Sequence, residues 1–148
     1  AAESHAWHRP LLATRASQYD PRVRSRIERG ATMSASAYID RLNARQHWIV
    51  RMEAALAPFD ALLSPTVPLV APPIADVAPG AERDAEFFRI NALLLRNTSV
   101  VNMLDGCALS LPCHMAGELP VGLMVWHGAL HDDAVLNVGL QIEQILQK

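Results

Sequence analysis

Four arginines that fall within eight residues are the side chains best suited to bind a ligand. If residues 21–30 form a helix, Arg22, Arg26 and Arg29 share one face, whereas Val23 and Ile27 share another. A guanidinium holds a carboxylate through two parallel hydrogen bonds, so the basic face is a candidate clamp for an anion or a carboxylate. The simpler interpretation is a solvated basic face beside one apolar ridge, and the residues alone leave both open.

The sequence gives little support for a serine or cysteine nucleophile. An elbow-type serine hydrolase needs Gly-x-Ser-x-Gly at a strand-to-helix turn, and no serine here has that context. Ser110 stands between two leucines of a predicted strand, where a locally hydrogen-bonded hydroxyl is the simpler interpretation. Cys113 precedes His114, but adjacent strand residues point to opposite faces. We therefore interpret Cys107 and Cys113 as small core residues.

Metal and nucleotide sites are also unsupported. Cysteines and histidines gather near the C-terminal end, but none matches a C-x₂-C pair or an H-x₃-H pair on a helix. His127 and His131 are four residues apart, yet Gly128 and a predicted strand end separate them. No Gly-x-Gly pattern occurs, so a phosphate-binding loop is not predicted. We therefore predict neither a metal nor a cofactor.

Composition narrows the class of protein further. The 148 residues suffice for one domain with a sizeable core, and the net charge of −2 gives no indication of a nucleic-acid partner. Polar residues interrupt every apolar run, so no membrane span is predicted. Two cysteines and no visible signal peptide favour the cytoplasm. The chain starts at Ala1 rather than Met, which suggests a cleaved product or a trimmed polypeptide. Its single lysine is Lys148, so a buried lysine base is not expected.

The elements that must position these side chains begin with a helical region, residues 1–58. Asp20 is a predicted helix cap, with Pro21 in the first turn, and Gly30 is the predicted C′ residue of that helix. Ser34 or Ser36 caps the next helix, which Pro58 terminates. The predicted apolar stripe of this longer helix comprises Tyr38, Ile39, Leu42, Ile49, Met52 and Leu56.

The remaining chain mixes short strands with helices. Proline density over residues 64–80 argues against a regular helix and favours an extended loop anchored by its apolar residues. The other predicted elements are strands at 61–63, 107–111 and 121–126, a loop at 114–118, and helices from 84 to about 95 and from 131 to 147. The last two strands are predicted to form a hairpin. So few strands make a marginal sheet, which a missing part of the chain or a partner would complete.

Seven stretches, taken in order, resemble the C-terminal portion of the amidase-signature family. Residues 3–8 resemble E-A-x-A-x-H, with Ser4 in place of the first Ala, residues 23–30 resemble V-x-x-R-I-x-x-G, and residues 60–66 resemble D-x-L-L-x-P-T. Residues 96–102 resemble R-N-T…N, residues 109–113 resemble I-S-V-P-C, and residues 119–124 resemble L-P-V-G-L-Q. The acidic pair 132–133 before the closing helix is the seventh. Together they cover nearly the whole chain.

The resemblance implies an α/β fold, here an incomplete one in which a few short strands of a mixed sheet are flanked by helices. It divides residues 1–148, the C-terminal portion of the domain, into a helical part (1–58), a strand with a proline-rich loop (59–83), and a helix, hairpin and closing helix (84–148). It also implies amide hydrolysis by a serine nucleophile, a second serine in a cis peptide and a lysine base. Those groups belong to a Gly/Ser-rich signature and a preceding segment that this sequence does not contain. We therefore expect no catalytic residue here, and an inactive polypeptide.

Two positions bear on the substrate. By resemblance, Arg26 matches an arginine that binds the substrate carboxylate in glutamine-dependent tRNA amidotransferase A subunits. Those subunits hold the glutamine amino group with an aspartate, whose position here is Leu95, and this departure argues against free glutamine. A second departure is Asp105-Gly106-Cys107, where many members have Gly-x-Pro, and it affects the local loop.

Three functions stay open at this point. The first is part of an amidase that cleaves a carboxamide into a carboxylate and ammonia, with a small amide as its partner. The second is an amidotransferase A subunit, and the third is a non-catalytic binding or scaffold domain. We expect no nucleic-acid or membrane partner, and we hypothesise a homo-oligomer formed through an unpaired sheet edge.

Overall fold

The computed structural model describes residues 1–146, which form two compact units, residues 1–47 and 48–148, the second described as far as residue 146. In these residues we distinguish seven α-helices and three strands. The helices are α1 (Ala2–Arg15), α2 (Pro21–Glu28), α3 (Ala35–Leu56), α4 (Ile74–Val77), α5 (Asp84–Arg96), α6 (Thr98–Met103) and α7 (Asp132–Leu146), and the strands are β1 (Leu62–Pro65), β2 (Cys107–Pro112) and β3 (Gly122–His127). Short 3₁₀ turns follow α1 and α2 and precede α5. The predicted α/β class is confirmed.

The first unit contains α1, α2 and the N-terminal half of α3. As predicted, Asp20 caps α2, because its Oδ1 accepts hydrogen bonds from the backbone N–H groups of Arg22 (2.8 Å) and Val23 (3.2 Å). Ser34 caps α3 by accepting from the N–H of Ala37 at 3.1 Å. Gly30 follows the C-cap residue Arg29 and therefore takes the predicted C′ position. Its φ is not positive, because the chain continues as a 3₁₀ turn, and a Cβ at Gly30 would overlap the backbone of Ala1.

The second unit is built around an antiparallel sheet in the order β1-β3-β2. The predicted hairpin is confirmed, with Leu109 opposite Val125 and Leu111 opposite Leu123. β1 pairs with the other side of β3, with Ser64 opposite Met124. Central β3 is therefore the best-buried strand, and Val125 has no exposed surface.

Helices cover both faces of this sheet. One face packs against α7 through a cluster of Leu111, Val125 and Val135, with Leu109 and Ile142 beside it. The opposite face packs against α3 and α6 through a second cluster, which consists of Ile49, Leu56, Val101, Leu104, Met124 and Trp126. The predicted stripe of α3 is therefore buried at Ile49 and Leu56, whereas Ile39 and Leu42 are exposed.

The two edges of the sheet differ. Thr66 donates its N–H to the carbonyl of Gly122, and Cys113 donates its N–H to that of Val121. Along an antiparallel strand, residues alternate between bonding to the neighbouring strand and pointing their backbone groups away from it. The outward groups therefore belong to Leu63 and Pro65 on β1, and to Ala108, Ser110 and Pro112 on β2. On β1, Pro65 has no N–H, and its outward carbonyl accepts a hydrogen bond from the side-chain amide of Asn97 at 2.8 Å. The outer side of β2 is thus the edge with more backbone groups available to pair with another strand. Homo-oligomerisation through this edge stays a prediction.

Two elements differ from the expectation. The proline-rich loop contains one helical turn, α4, and Ile74 in this turn is 84% exposed rather than an anchor. Helix α6 was not predicted, because its six residues give too short a pattern. The predicted closing helix is present and begins at Asp132, one residue later than predicted, and its predicted end at Gln147 lies outside the described residues. None of the helices in residues 1–146 has both the length and the apolar character of a membrane span.

Candidate functional site

A cavity of about 490 Å³ lies in the first unit beside the arginine-rich helix. Residues from α1 and α2 contribute most of its wall, which comprises Ala1, Ser4, His8, Val23, Arg26, Ile27 and Arg29. Arg26 is exposed and borders this space, whereas Arg22 is only 9% exposed and is absent from the wall. The structure thus brings Arg26 and Arg29 to one cavity and leaves Arg22 out of it.

The predicted division of α2 into a basic face and an apolar face is therefore wrong. Val23, Arg26 and Ile27 line the same cavity, because residues three and four apart are neighbours on a helix surface. The buried position of Arg22 also contradicts an entirely solvated basic face. The resulting wall combines guanidinium groups with aliphatic side chains, which suits a ligand that has both a charged and an apolar part.

His8 contributes an imidazole to this wall that sequence reasoning did not single out. Its Nδ1 lies 2.7 Å from the hydroxyl of Tyr19, and the two rings meet edge to face with centroids 5.6 Å apart. Tyr19 ends the 3₁₀ turn between α1 and α2, so the contact ties the two helices together. The sequence did contain a signal for His8, because this histidine ends the segment 3–8 that resembles the family's E-A-x-A-x-H pattern. Two arginines, a histidine and the Ser4 hydroxyl give the cavity an anion-binding character.

A cluster of hydroxyl groups lies on the sheet of the second unit. The Oγ1 of Thr66 and the Oγ of Ser110 are 2.5 Å apart, across the start of β3. They meet over Gly122, where a Cβ would lie only 2.6 Å from Ser110 Oγ and 2.7 Å from Thr66 Oγ1. The contact joins residues 44 apart in sequence, so the expected local hydrogen bond of Ser110 is wrong. Ser110 has a hydroxyl as its partner rather than a base, which does not activate it as a nucleophile.

The cysteines and histidines do not form reactive pairs. Cys113 is exposed, which contradicts its predicted place in a core, and its thiol donates to the carbonyl of Val121 at 3.6 Å. His114 accepts the N–H of the same residue through Nδ1. Cys107 is half-buried, and its thiol donates to the carbonyl of Gly128. Within residues 1–146, no group of three or more His, Cys, Asp or Glu side chains is arranged to hold a metal ion.

Leu95 and Asp105, at two of the departures from the family pattern, are both exposed. Leu95 lies near the end of α5 and is 42% exposed. Asp105 has a φ of 55°, and its N–H and that of Gly106 donate back to the carbonyls of Asn102 and Val101. These two bonds form a Schellman-type end to α6. The departure at Asp105 is therefore a helix terminus, and the following strand keeps its register.

The chain is similar in sequence and structure to known proteins. A family model described as Amidase matches residues 1–136. A structure described as a crystal structure of amidase has 27% sequence identity to this chain and a TM-score of 0.74. The match covers 95% of this chain and 32% of the amidase chain. An alanine-for-serine variant of Kluyveromyces lactis allophanate hydrolase is also 27% identical, with a TM-score of 0.73 over 91% of this chain and 21% of its own. No protein with a curated description matches. The chain therefore spans about a third and about a fifth of these structures.

Proposed function

Because the chain belongs to the amidase family, we propose that it is the C-terminal part of an enzyme that hydrolyses a carboxamide to a carboxylate and ammonia. The observation that carries this proposal is the family match, which extends over residues 1–136 and is accompanied by the similarity of the fold to solved amidase structures. The proposal concerns the enzyme that contains this chain, since the chain spans only part of the structures that it resembles.

We propose a Ser-Ser-Lys mechanism for that enzyme, on the basis of the family resemblance. A serine oxygen, deprotonated with the help of a lysine base, would attack the amide carbonyl, and the C–N bond would break as the nitrogen accepts a proton and leaves as ammonia. Water would then hydrolyse the acyl-serine ester to release the carboxylate. The 148 residues have one lysine, Lys148, and no Gly/Ser-rich stretch. The nucleophile and its base would thus be supplied by residues outside this sequence.

For the residues in hand we propose a role in substrate binding, centred on Arg26. The cavity beside Arg26 also presents Arg29, the imidazole of His8 and the aliphatic side chains of Val23 and Ile27. A substrate with a carboxylate on an apolar body would place its charge on the guanidinium and its hydrocarbon on the aliphatic wall. Leu95 stands where the related amidotransferase subunits have an aspartate for an amino group. We therefore propose a carboxylate-bearing amide without an α-amino group.

The test compares amides with and without a carboxylate, using the enzyme that contains this chain. Arg26→Ala is expected to raise the KM for the carboxylate-bearing amide about tenfold or more, because hydrogen bonds to a charged group are lost. The KM for a neutral amide of equal length should not change. Arg24→Ala is the matched control, because Arg24 lies on the same helix, pairs with Glu28 at 3.4 Å and does not line the cavity. Equal effects of Arg26→Ala on both amides would refute the role of Arg26, and no ammonia from any amide would refute the proposed activity.

A further inference from the structure

A second cavity of about 380 Å³ lies in the second unit, where β3 ends and α7 begins. Its wall comprises Glu53, Ala57, Phe59, His127, Gly128, Ala129 and His131. Its residues come from the C-terminal part of α3, the connection to β1 and the turn between β3 and α7. It shares no residue with the cavity of Arg26, and nothing proposed above assigns it a role.

His127 forms a fixed part of this wall. It is 4% exposed, its Nδ1 accepts the N–H of Gly128 at 2.7 Å, and its Nε2 lies 3.2 Å from the carbonyl oxygen of Phe59. Because Nδ1 acts as an acceptor, the proton belongs on Nε2, which donates to that carbonyl. Both ring nitrogens are therefore engaged within the protein. The ring of His131 lies against the ring of His127, with centroids 3.8 Å apart and planes inclined by 38°.

Glu53 provides the charge. Among the described residues its carboxylate makes no hydrogen bond or ion pair, and its side chain lines the cavity together with Gly128. Phe59 is 54% exposed and also lines the cavity. An unpaired carboxylate beside a phenylalanine and a pair of imidazole rings favours a cation that can also stack on a ring.

We propose that this cavity binds a guanidinium group. Guanidinium is planar, stacks on aromatic faces and donates two parallel hydrogen bonds to a carboxylate, so it matches both kinds of surface present here. A compact ammonium would be attracted to the carboxylate and to an aromatic face, but it can neither stack flat on a ring nor donate two parallel hydrogen bonds to one carboxylate. A metal ion fits less well, because no three His, Cys, Asp or Glu side chains of the described residues converge on one point. The group would be carried by a small guanidine compound or by an arginine side chain of a peptide.

The first test is an NMR titration of the imidazole signals of His127 and His131. The probes are butylguanidinium, butylammonium and the neutral, near-isosteric butylurea, each added to the intact chain. Saturable shifts with butylguanidinium in the millimolar range are expected, with weaker binding of butylammonium and none of butylurea. Equal shifts with butylurea, or no shifts with butylguanidinium, would overturn the proposal. A tripeptide with a central arginine, titrated in parallel, shows whether a peptide can deliver the group. Binding of butylguanidinium without the tripeptide would restrict the ligand to small guanidines.

The second test uses side-chain variants, two in the cavity wall and one outside it. Glu53→Gln is expected to weaken butylguanidinium binding about fivefold, and Phe59→Leu about twofold. Glu143→Gln removes the same charge from α7 at a position outside the cavity wall, and should leave the affinity unchanged. If Glu143→Gln weakens binding as much as Glu53→Gln, the attraction is diffuse and the site is not in this cavity.

Discussion

Tyr38 is a side chain whose ionisation is perturbed by a specific contact. Its hydroxyl donates a 2.5 Å hydrogen bond to Glu3, which links α3 to α1 within the first unit. This hydrogen bond raises the pKa of Tyr38 above its ordinary value, and desolvation and the nearby negative charge add to the effect. Because the folded pKa is the higher one, the contact stabilises the fold fully below the unfolded pKa of about 10 and is lost as the pH rises through the folded pKa.

The corresponding prediction concerns the phenol titration. In a Tyr19→Phe background Tyr38 is the sole tyrosine of the chain, so absorbance at 295 nm reports its ionisation. Replacing Glu3 by Ala should shift the midpoint to lower pH, because the acceptor and its charge are both removed. An unchanged midpoint would contradict the contact. Glu86→Ala, made in the second unit, is the control and should have no effect.

Leu130 is the second informative side chain. It has a φ of 64° and is 95% exposed, so a branched residue adopts a left-handed conformation without burying its side chain. Leu130→Gly should therefore raise the free energy of unfolding by about 1 kcal/mol, because the steric cost of the Cβ disappears. Urea denaturation measures the change. Leu130→Ala keeps the Cβ and should be close to neutral, so a similar gain in both variants would indicate a different cause.

At the scale of elements, Gly139 determines how closely α7 approaches the sheet. It is buried on this helix, and a Cβ there would overlap the Cδ2 atom of Leu109 on β2. Helix propensity alone predicts that Gly139→Ala stabilises the protein by about 1 kcal/mol. We expect this gain to be offset, with a net change between zero and a loss of about 1 kcal/mol, because the end of the Leu109 side chain must move aside.

A double variant separates these two effects. Leu109→Val shortens the side chain that meets the new methyl group, so Gly139→Ala should cost less in the Leu109→Val background than in the original chain. Thermal or urea unfolding of the original chain, the two single variants and the double variant gives the coupling free energy between positions 109 and 139. If Gly139→Ala is stabilising in both backgrounds, the close packing of α7 on β2 is not a constraint.

At the scale of the whole molecule, substrate-binding and bond-breaking groups are proposed to lie in different parts of one enzyme. The 148-residue polypeptide has arginines around a cavity, but Ser110 pairs with Thr66 rather than with a base. It should therefore release no ammonia from acetamide, propionamide or benzamide, because the acyl-enzyme step needs an activated nucleophile. A coupled ammonia assay, validated with an active amidase, checks this. Turnover by the pure polypeptide would show that it contains a catalytic group of its own.

The sequence by itself determined the family, the α/β class and most elements. The ends of α2, α3 and α5, the hairpin and the start of α7 follow from local signals, such as the Asp20 cap, the Ser34 cap and the alternation of short apolar runs. These signals are readable because they depend on residues close together in the chain. Arg26 was also singled out from the sequence, and its proposed role in substrate binding stays a prediction.

The tertiary structure alone decided which side chains share a site. It set Arg26 and Arg29 beside His8, buried Arg22, exposed Cys113 and paired Ser110 with Thr66. Each of these outcomes depends on which separate elements pack together. The periodicity of residues along one helix or strand does not specify which other elements it contacts. The same holds for Gly30, whose lack of a side chain is required by the backbone of Ala1 rather than by its own conformation. Contacts between distant residues are what the local pattern cannot specify.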